Sequence, residues 1–369
     1  MELSPQVTEE HLFGASAPLS IGVEEELLLV DERLCLRGDG ERVMREADPA
    51  LRDSLSTEIF ATQIELKTGI CADAGEALAD LSCLREAVRE AGSLVLGAGL
   101  HPDDNEEQPR LVEKPRYEVV QKDFASLLKT PPCGLHVHVG MPDPETAVKV
   151  ANALRYHLPL LQALTANSPF RQGVDSGLAS ARTAVVRSYP RFEMPRAFRD
   201  YEDFRHVADQ LIAAAGVDDY TYLWWDVRPH PRLGTVEVRA MDVQTRAWTN
   251  AAVAALVQAL AAKEIDRDET PGLCREALEE SYYQASRYGL EARLMVDDEV
   301  AAPAAEVAQR VLAEARPYAA QLGSEDALDE VERIVREGNG ADDQRRVHDV
   351  GGIDGLLTWL AERSGAGRA

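Results

Sequence analysis

The sequence lacks the features that mark membrane, secreted and zinc-finger proteins. No apolar run approaches the roughly 20 residues that cross a bilayer. The first residues show no basic start followed by an apolar core, so we expect no secretory signal. The 5 cysteines include no C-x-x-C pair, which argues against a disulfide framework or a zinc knuckle. These absences predict a cytoplasmic protein with reduced thiols and no membrane partner.

Positive charge is scarce as well. Lys and Arg number 39 against 64 Asp and Glu, which gives a formal net charge of −25. Because nucleic-acid binding favours a basic surface, we expect no nucleic-acid partner. Two interpretations of the acidity stay open. It is either a solvated surface that favours solubility, or an adaptation to high salt, where screening relieves self-repulsion.

The common glycine-rich nucleotide loops are also missing. No G-x-x-x-x-G-K-[ST] segment occurs in the sequence. Gly97 and Gly99 follow a predicted strand, but the third glycine of a dinucleotide loop is absent and Pro102 follows where a helix should begin. A nucleotide would therefore have to be held by other groups, such as metal ions and arginines.

The most informative segment that is present runs from Cys133 to Gly140, with glycines near both ends. Side chains of an extended strand alternate between its two faces, so His136 and His138 point the same way. The opposite face is aliphatic and carries Leu135, Val137 and Val139. This pattern predicts a strand with a core on one side and polar chemistry on the other.

The same alternation recurs on other predicted strands. Charged side chains share a face at Glu24 with Glu26, at Glu65 between aliphatic neighbours, at Asp226 with Arg228, and at Glu237 with Arg239. If these strands belong to one sheet, one face carries carboxylates, imidazoles and guanidiniums, and the apolar face needs a cover of helices. The sequence thus predicts an α+β fold.

The length allows one large domain or two. We expect a single domain, 19–369, after a flexible lead-in, 1–18. Its sheet core would span about 19–245 and its helical part about 246–365. Helices are expected after the caps Asp73 and Asp143, and a short amphipathic helix is expected around Asp200–Ala215. The second would reach Ala166 with a kink at Pro159.

Other segments are expected to be less regular. We predict hairpin and loop at Asp31–Asp53, a strand pair around Glu58–Lys67, and a short helix near Tyr117–Leu128 within a polar connection. Arg171–Pro195 is predicted to be a long irregular binding loop. The helical part would consist of 251–263, 304–322, 326–336 and 353–363.

The polar face suggests a divalent metal site. Glutamate-rich sites favour Mg²⁺, and a single histidine tilts the preference towards Mn²⁺. The planar guanidinium of arginine donates several hydrogen bonds to phosphate oxygens. A metal ion that faces an arginine is typical of sites that catalyse phosphoryl transfer. Each motif alone has a structural alternative, such as a solvated strand face or a surface ion pair. Their joint occurrence on successive strands favours a functional site.

Seven motifs, in this order, resemble the type 2 glutamate–cysteine ligase family, the carboxylate–amine ligases related to glutamine synthetase. The motifs are Gly22–Glu26, Gln63–Thr68, Gly134–Gly140, Asn167–Pro169, Gly177–Arg182, Trp225–Pro229 and Gly234–Arg239. The connecting segments Glu113–Tyr117 and Met194–Pro195 are most similar to haloarchaeal glutamate–cysteine ligases. The resemblance implies a funnel-shaped, mainly antiparallel sheet with helices behind it.

The resemblance also implies roles for individual residues. One metal would be held by Glu24, His136 and Glu237. A second metal would be held by Glu26 and Glu65, with Glu58 a weaker candidate. Phosphates would be contacted by His138, Arg228 and Arg239. Arg182 or Arg187 would contact the substrate carboxylate or the transferring phosphoryl group. The candidate catalytic residues are Arg182 and Arg239.

The implied reaction has two steps and uses ATP with Mg²⁺ or Mn²⁺. ATP phosphorylates the γ-carboxylate of L-glutamate, and the amine of L-cysteine then displaces phosphate to give γ-glutamylcysteine. The partners would be small molecules, and a homodimer is expected at the level of the family. Alternatives that stay open are a ligase of the same mechanism with another acid or amine, a metal-dependent hydrolase using His136 and His138, and a non-catalytic binding protein.

Overall fold

A seven-stranded antiparallel sheet forms the centre of the protein. The computed structural model describes residues 11–104, 110–114, 117–118, 120–121, 127–267 and 272–365. The sheet order is β2-β3-β1-β5-β9-β8, with β4 paired to β1 outside this path. Its strands are β1 Ile21–Val30, β2 Leu55–Thr57, β3 Gln63–Lys67, β4 Leu94–Leu96, β5 Gly134–Gly140, β8 Val227–His230 and β9 Thr235–Asp242. The predicted antiparallel α+β architecture is confirmed.

Two small two-stranded sheets lie outside the central sheet. They pair β6 Phe170–Arg171 with β7 Val174–Asp175, and β10 Arg293–Met295 with β11 Ala301–Pro303. The second pair interrupts a region that the sequence predicts to be almost wholly helical. Its strands are only three residues long, too short for an alternating pattern to be recognised.

The described helices cover the apolar face and the ends of the sheet. They are Gly40–Glu46, Ala74–Glu90, Pro144–Leu154, Leu158–Thr165, Ala181–Val186, Tyr201–Ala215, Ala247–Asp266, Arg275–Tyr288, Ala304–Gln321, Leu328–Glu337 and Gly340–Gly365. Short 3₁₀ helices add Pro49–Ser54, Tyr220–Tyr222, Gly289–Glu291 and Glu325–Ala327.

The helix Ala247–Asp266 is the centre of the cover. It is apolar almost all round, and nearly all of its residues are buried. It contacts β1 and β5 and packs on the helices Ala74–Glu90 and Ala304–Gln321. Back-face side chains of β5 and β9, such as Val137 and Val238, join the same hydrophobic core. The apolar reverse of the sheet is therefore closed from water, and the polar face is left for a site.

The predicted helix caps are confirmed. Asp73 accepts hydrogen bonds from the N–H groups of Gly75 and Glu76. Asp143 caps the helix that begins at residue 144 in the same way. Asp200, which the sequence analysis did not identify as a cap, does so for the helix that begins at residue 201. Each carboxylate satisfies N–H groups that the first helical turn leaves unpaired.

Two expected elements differ. The segment Asp31–Asp53 contains the helix Gly40–Glu46 and a 3₁₀ helix, where hairpin and loop were predicted. The helix that begins at Pro144 ends at Leu154, and Pro159 lies in the first turn of the next helix. Proline is tolerated in a first turn because that N–H has no helical partner, so it starts a new helix there and does not kink an existing one.

Arg171–Pro195 is more regular than expected, because it contains the β6–β7 pair and the helix Ala181–Val186. The short helix predicted near Tyr117–Leu128 falls largely outside the described residues, as do residues 1–10 of the expected lead-in. Within that lead-in, Phe13 is buried against Tyr201. Among the helices that the structure describes, none combines the length and the apolar composition needed to cross a membrane.

Candidate metal and phosphate site

Strand register gathers the acidic and imidazole side chains. Glu24 of β1 lies opposite His136 of β5, and Glu26 lies opposite Glu65 of β3. On the far side of β5, His138 lies opposite Glu237 of β9. Residues directly opposite each other in a sheet project to the same face, with Cβ atoms about 5 Å apart. The register therefore creates a continuous polar row from four motifs that are distant in sequence.

A first cluster is formed by Glu24, His136 and Glu237. One potential ligand atom from each lies within 4.8 Å of the others. His136 Nδ1 is 3.1 Å from Glu24 Oε2. The structure thus brings together the residues predicted to hold one metal ion.

A second cluster is formed by Glu26, Glu65 and His136, again with ligand atoms within 4.8 Å of one another. His136 Nε2 lies 3.8 Å from Glu26 Oε1, so the two ring nitrogens of one histidine face different clusters. The Gly134 N–H donates to Glu26 Oε2 at 2.6 Å, and the Ser56 hydroxyl donates to Glu65. These hydrogen bonds fix the orientation of the Glu26 and Glu65 carboxylates.

The two clusters differ in electrostatics. Burial raises the pKa of Glu237, but the charges of Arg228 and Arg239 outweigh it and hold that pKa well below its usual range. Burial also opposes ionisation of Glu24, yet His138 and a hydrogen bond with His136 keep its pKa low. By contrast, burial and neighbouring carboxylates raise the pKa of Glu65, and raise that of Glu58 well above normal. Burial and the neighbouring carboxylates therefore disfavour ionisation of Glu65 in the second cluster and of Glu58 beside it.

The donor set suits a hard divalent cation. Each cluster offers two carboxylates and one imidazole, and no thiolate belongs to either. This composition fits Mg²⁺ or Mn²⁺ better than zinc. A bound cation would also favour the ionised form of the carboxylates in the second cluster.

Arg239 and Arg228 flank the first cluster. Arg239 donates to Glu237, and its Nη1 lies 3.4 Å from His136 Nδ1, while its buried Nε has no hydrogen-bond partner among the described groups. Arg228 donates through Nε to Glu237 at 2.7 Å and through Nη1 to the Leu223 carbonyl at 2.6 Å. Arg239 thus keeps more donor capacity for a ligand than Arg228 does.

His138 is oriented by a hydroxyl. Its Nδ1 lies 2.9 Å from Thr235 Oγ1. Its Nε2 is buried, has no hydrogen-bond partner among the described groups, and lies 3.5 Å from Glu24 and 3.7 Å from Glu237. The imidazole is therefore held with one nitrogen directed at the first cluster.

Asp226 does not pair with Arg228, although alternation predicts that they share a strand face. Strand β8 begins only at Val227, and Asp226 accepts a hydrogen bond from Arg187 Nη2 at 2.6 Å. Arg187 also stacks over the ring of Tyr282, with 4.8 Å from its guanidinium carbon to the ring centroid. It lines a neighbouring cavity of about 750 Å³, so of the two arginines proposed for the substrate only Arg182 lies at the acidic clusters.

A cavity of about 380 Å³ opens over the polar face. Its charged lining includes Glu26, Glu58, Glu65, His136, Arg182 and Arg239. Its apolar wall includes Phe60, Leu128, Val186, Tyr189, Phe192 and Trp224. His136 and Arg239 connect this cavity to Glu24 and Glu237. Charged and aromatic walls facing each other match what a nucleotide and a small acid require.

The sequence analysis did not identify three residues that contact the site residues and hold them in place. They are Ser56, Thr235 and Asp242. Ser56 lies on the three-residue strand β2, and Asp242 is the last residue of β9. Only the tertiary structure shows that Ser56 contacts Glu65 and that Asp242 faces Arg182. Thr235 could have been found, because it shares a strand face with Glu237 and Arg239.

Comparison with known sequences finds relatives that match nearly the whole chain. The sequence model described as Glutamate-cysteine ligase family 2 matches residues 20–359. A Rubrobacter xylanophilus protein named "Putative glutamate--cysteine ligase 2-3" is 39% identical over 362 residues, covering 96% of this chain and 99% of the relative. "Glutamate--cysteine ligase" of Haloferax volcanii is 35% identical over 352 residues, covering 92% and 96%. A haloarchaeal relative is therefore found, as expected.

Solved structures share the fold. A glutamate–cysteine ligase from Francisella tularensis, in complex with AMP, superposes with a TM-score of 0.70 at 13% identity, covering 94% of this chain and 88% of that one. A bifunctional glutathione synthetase from Pasteurella multocida gives 0.69 at 18% identity, covering 94% and 52%. Since the family model spans most of the sequence and full-length relatives exceed 30% identity, the chain belongs to glutamate–cysteine ligase family 2.

Proposed function

We propose that this protein is an ATP-dependent ligase that joins the γ-carboxylate of L-glutamate to the amine of L-cysteine, releasing ADP and phosphate. The observation that carries the proposal is the pair of carboxylate clusters joined through His136, beside Arg239 and a cavity of about 380 Å³. The family and the names of its members support the choice of substrates. The AMP found in the Francisella structure supports a nucleotide at this fold.

Two divalent cations would be held here, one by Glu24, His136 and Glu237 and the other by Glu26 and Glu65. Such ions neutralise charge on the phosphates of ATP and on the transferring phosphoryl group. Glu58, with its raised pKa and its place on the cavity wall, is kept as an additional candidate ligand.

In the first step, a γ-carboxylate oxygen of glutamate attacks the γ-phosphorus of ATP, and the bond to the bridging oxygen breaks as ADP leaves. Arg239 is placed to donate to the phosphates, since its Nε is free of described partners and burial in a low-dielectric site strengthens such bonds. His138 and Arg228 are proposed to assist through Nε2 and the remaining guanidinium donors.

In the second step, the amine nitrogen of cysteine attacks the acyl carbon of γ-glutamyl phosphate. The carbon–oxygen bond breaks, phosphate leaves with the electron pair, and the nitrogen loses a proton. Arg182 is proposed to hold an anionic oxygen of the substrate in both steps. The apolar wall of the cavity is proposed to limit the access of water, which would otherwise hydrolyse the acyl phosphate.

The substrates are tested directly by incubating purified protein with ATP, Mg²⁺ and L-glutamate, with and without L-cysteine. We expect ADP release that depends on cysteine and a product with the mass of γ-glutamylcysteine. Release with a different amine only would replace the substrate assignment with the alternative ligase. Hydrolysis of esters or amides without ATP would favour the hydrolase, and tight ATP binding without turnover would favour a binding protein.

The metal assignment is tested with His136→Ala. This change removes the imidazole that both clusters share, so we expect ADP release to fall by at least about a thousandfold while the fold persists. Glu237→Ala should have the same effect. Mn²⁺ titration by calorimetry gives a second readout, because the variant should lose saturable binding.

His157→Ala is the matched control. His157 is also a buried histidine hydrogen-bonded to a glutamate, with 3.0 Å between its Nε2 and Glu264 Oε1, but it lies on another cavity. We expect it to lower thermal stability without changing turnover per folded molecule. Near-normal turnover in both the His136 and Glu237 variants would contradict the metal assignment.

A further inference from the structure

The guanidinium of Arg182 is buried without a hydrogen-bond acceptor. Arg182 is 2% exposed and lines the main cavity, yet no described group accepts a hydrogen bond from its side chain. Its nearest described anion is Asp242, with 3.7 Å between Nη1 and Oδ1. A buried arginine that is neutralised but not hydrogen-bonded has its donors available for a ligand.

Asp242 stands at the end of β9 and is fully buried. Its Oδ2 accepts hydrogen bonds from the Ser168 hydroxyl at 2.6 Å and from the Asn167 N–H at 3.0 Å. Its Oδ1 accepts from the Ser180 hydroxyl at 2.9 Å. Because both oxygens are engaged by these donors, Asp242 attracts Arg182 by charge and does not capture the guanidinium in a bidentate pair.

The same two serines fix the backbone that carries Arg182. Ser168 Oγ accepts from the Arg182 N–H at 3.1 Å, and Ser180 caps the helix Ala181–Val186 by accepting from the Thr183 N–H at 3.3 Å. Asp242 therefore fixes the backbone of Arg182 through the two serines, and its carboxylate faces the charge of Arg182 directly.

Two glycines make this arrangement possible. A Cβ at Gly99 would lie 2.7 Å from Asp242 Oδ2, and a Cβ at Gly134 would clash with Arg182 Nη2. The carboxylate thus lies against the loop that follows β4, and the guanidinium lies against the first residue of β5. Neither side chain would occupy its position beside a larger residue.

We propose that Asp242 is a positioning residue, which uses Ser168 and Ser180 to hold the Arg182 guanidinium without a hydrogen-bond acceptor and aimed at an anionic oxygen of the substrate. The anion is either the carboxylate of the acid substrate or a phosphate of ATP, which present the same chemistry to a guanidinium. The inference rests on the proposed function and adds to it a residue that touches no substrate.

Asp242→Asn tests this with little loss of packing. Oδ2 can keep its two donors, and the amide nitrogen can donate to Ser180 Oγ, which also accepts, so only the charge facing Arg182 is lost. We expect KM for one anionic substrate to rise by about tenfold or more, with a smaller change for the other. A rise for L-glutamate identifies the carboxylate, and a rise for ATP identifies the phosphate. Unchanged KM for both would overturn the proposal.

A double-variant cycle separates positioning from general damage. If Asp242 acts through Arg182, Asp242→Asn should add no further loss to Arg182→Ala, whereas independent effects would multiply and overturn the proposal. Glu264→Gln, which removes another buried carboxylate, is the control and should leave both KM values unchanged. If Asp242→Asn does not fold, Ser180→Ala serves instead. It should shift KM for the same substrate as Arg182→Ala, and no shift would overturn the proposal.

The same double-variant cycle can be measured without turnover, by determining the affinity of each variant for L-glutamate and for ATP by calorimetry. Absence of ligase activity in the unaltered protein would count against the proposed function, while the binding cycle would still decide the role of Asp242. The expected result is weaker binding of one ligand in Asp242→Asn, and equal affinities in Arg182→Ala and the double variant.

Discussion

At the scale of single residues, His136 and Gly134 show how closely the site is packed. One imidazole serves two carboxylate clusters through its two ring nitrogens. Two residues earlier, Gly134 donates its N–H to Glu26 and leaves room for the Arg182 head group. A strand only seven residues long therefore contributes a candidate metal ligand, a hydrogen-bond donor and the space for a neighbouring side chain.

Gly134→Ala should inactivate the protein without unfolding it. The new methyl group would clash with Arg182 Nη2 and lie 3.1 Å from His136 Nε2. The end of an arginine side chain can move at low cost, so we expect a small change in melting temperature and a loss of at least about tenfold in kcat/KM. Gly22→Ala, where the Cβ would lie at an ordinary 3.7 Å from His138 Cβ, is the control and should remain active. Equal activity of the two variants would contradict the role given to Gly134.

His230 should make the stability of the metal-free protein depend on pH. Burial lowers its pKa to about 3, against about 6.5 when unfolded. Its contribution to stability is therefore complete above pH 6.5 and is lost as the pH falls towards 3, because only the unfolded state takes up the proton. Between pH 7.5 and 4.5 the protein should lose about 2 to 3 kcal/mol more than His230→Asn does, measured by urea unfolding. Parallel pH profiles would refute this.

At the scale of elements, the helix Ala74–Glu90 is joined to distant segments by one buried arginine. Arg85 donates to Glu25 on the apolar face of β1 at 2.8 Å. It also donates to the carbonyls of Thr245 at 2.7 Å and Ser364 at 2.9 Å. A strand, the segment after β9 and the end of the helix Gly340–Gly365 thus meet at one guanidinium.

Arg85→Met should destabilise the protein by about 3 to 5 kcal/mol, because it leaves the Glu25 carboxylate buried without its partner. Urea unfolding would measure the loss, while KM of the folded fraction should stay unchanged. Arg89→Met on the same helix is the control, since Arg89 is exposed and pairs only with Glu86 among the described groups. A similar loss in both variants would show that helix propensity, and not the buried pair, is responsible.

At the scale of the whole molecule, the helical part and the sheet share one core. Leu256, Val257 and Leu260 of the helix Ala247–Asp266 are fully buried in the cluster that contains the back of β5 and β9. The Gln344 amide donates to the Asn167 carbonyl at 2.8 Å, which links the C-terminal helix to the loop beside Asp242. These contacts support the prediction of a single domain.

A fragment of residues 1–245 should therefore fail to fold. It would expose the apolar face of the sheet to water, at about 25 cal/mol for each Å² of apolar surface. We expect no cooperative thermal transition for the fragment and one transition for the full chain in calorimetry. A cooperative transition in the fragment would instead establish two domains.

Much of the site could be predicted, because alternation along a strand is a local property. Glu24, Glu26, His136 and Glu237 were identified from spacing and from the family motifs, and the structure gathers them in two clusters. Arg187 could not be placed in this way. It follows Arg182 by five residues, which on a helix turns the side chain by about 140°, and the two side chains line different cavities.

The sequence by itself determined the family, the antiparallel sheet with its polar and apolar faces, and the caps of the main helices, because each depends on neighbouring residues. Tertiary structure alone decided which strands lie side by side, that one histidine serves both clusters, and that Asp242 faces Arg182. Those contacts join residues far apart in sequence, such as Glu24 and His136 at 112 positions, and pairing at that distance is set by the packing of the whole chain.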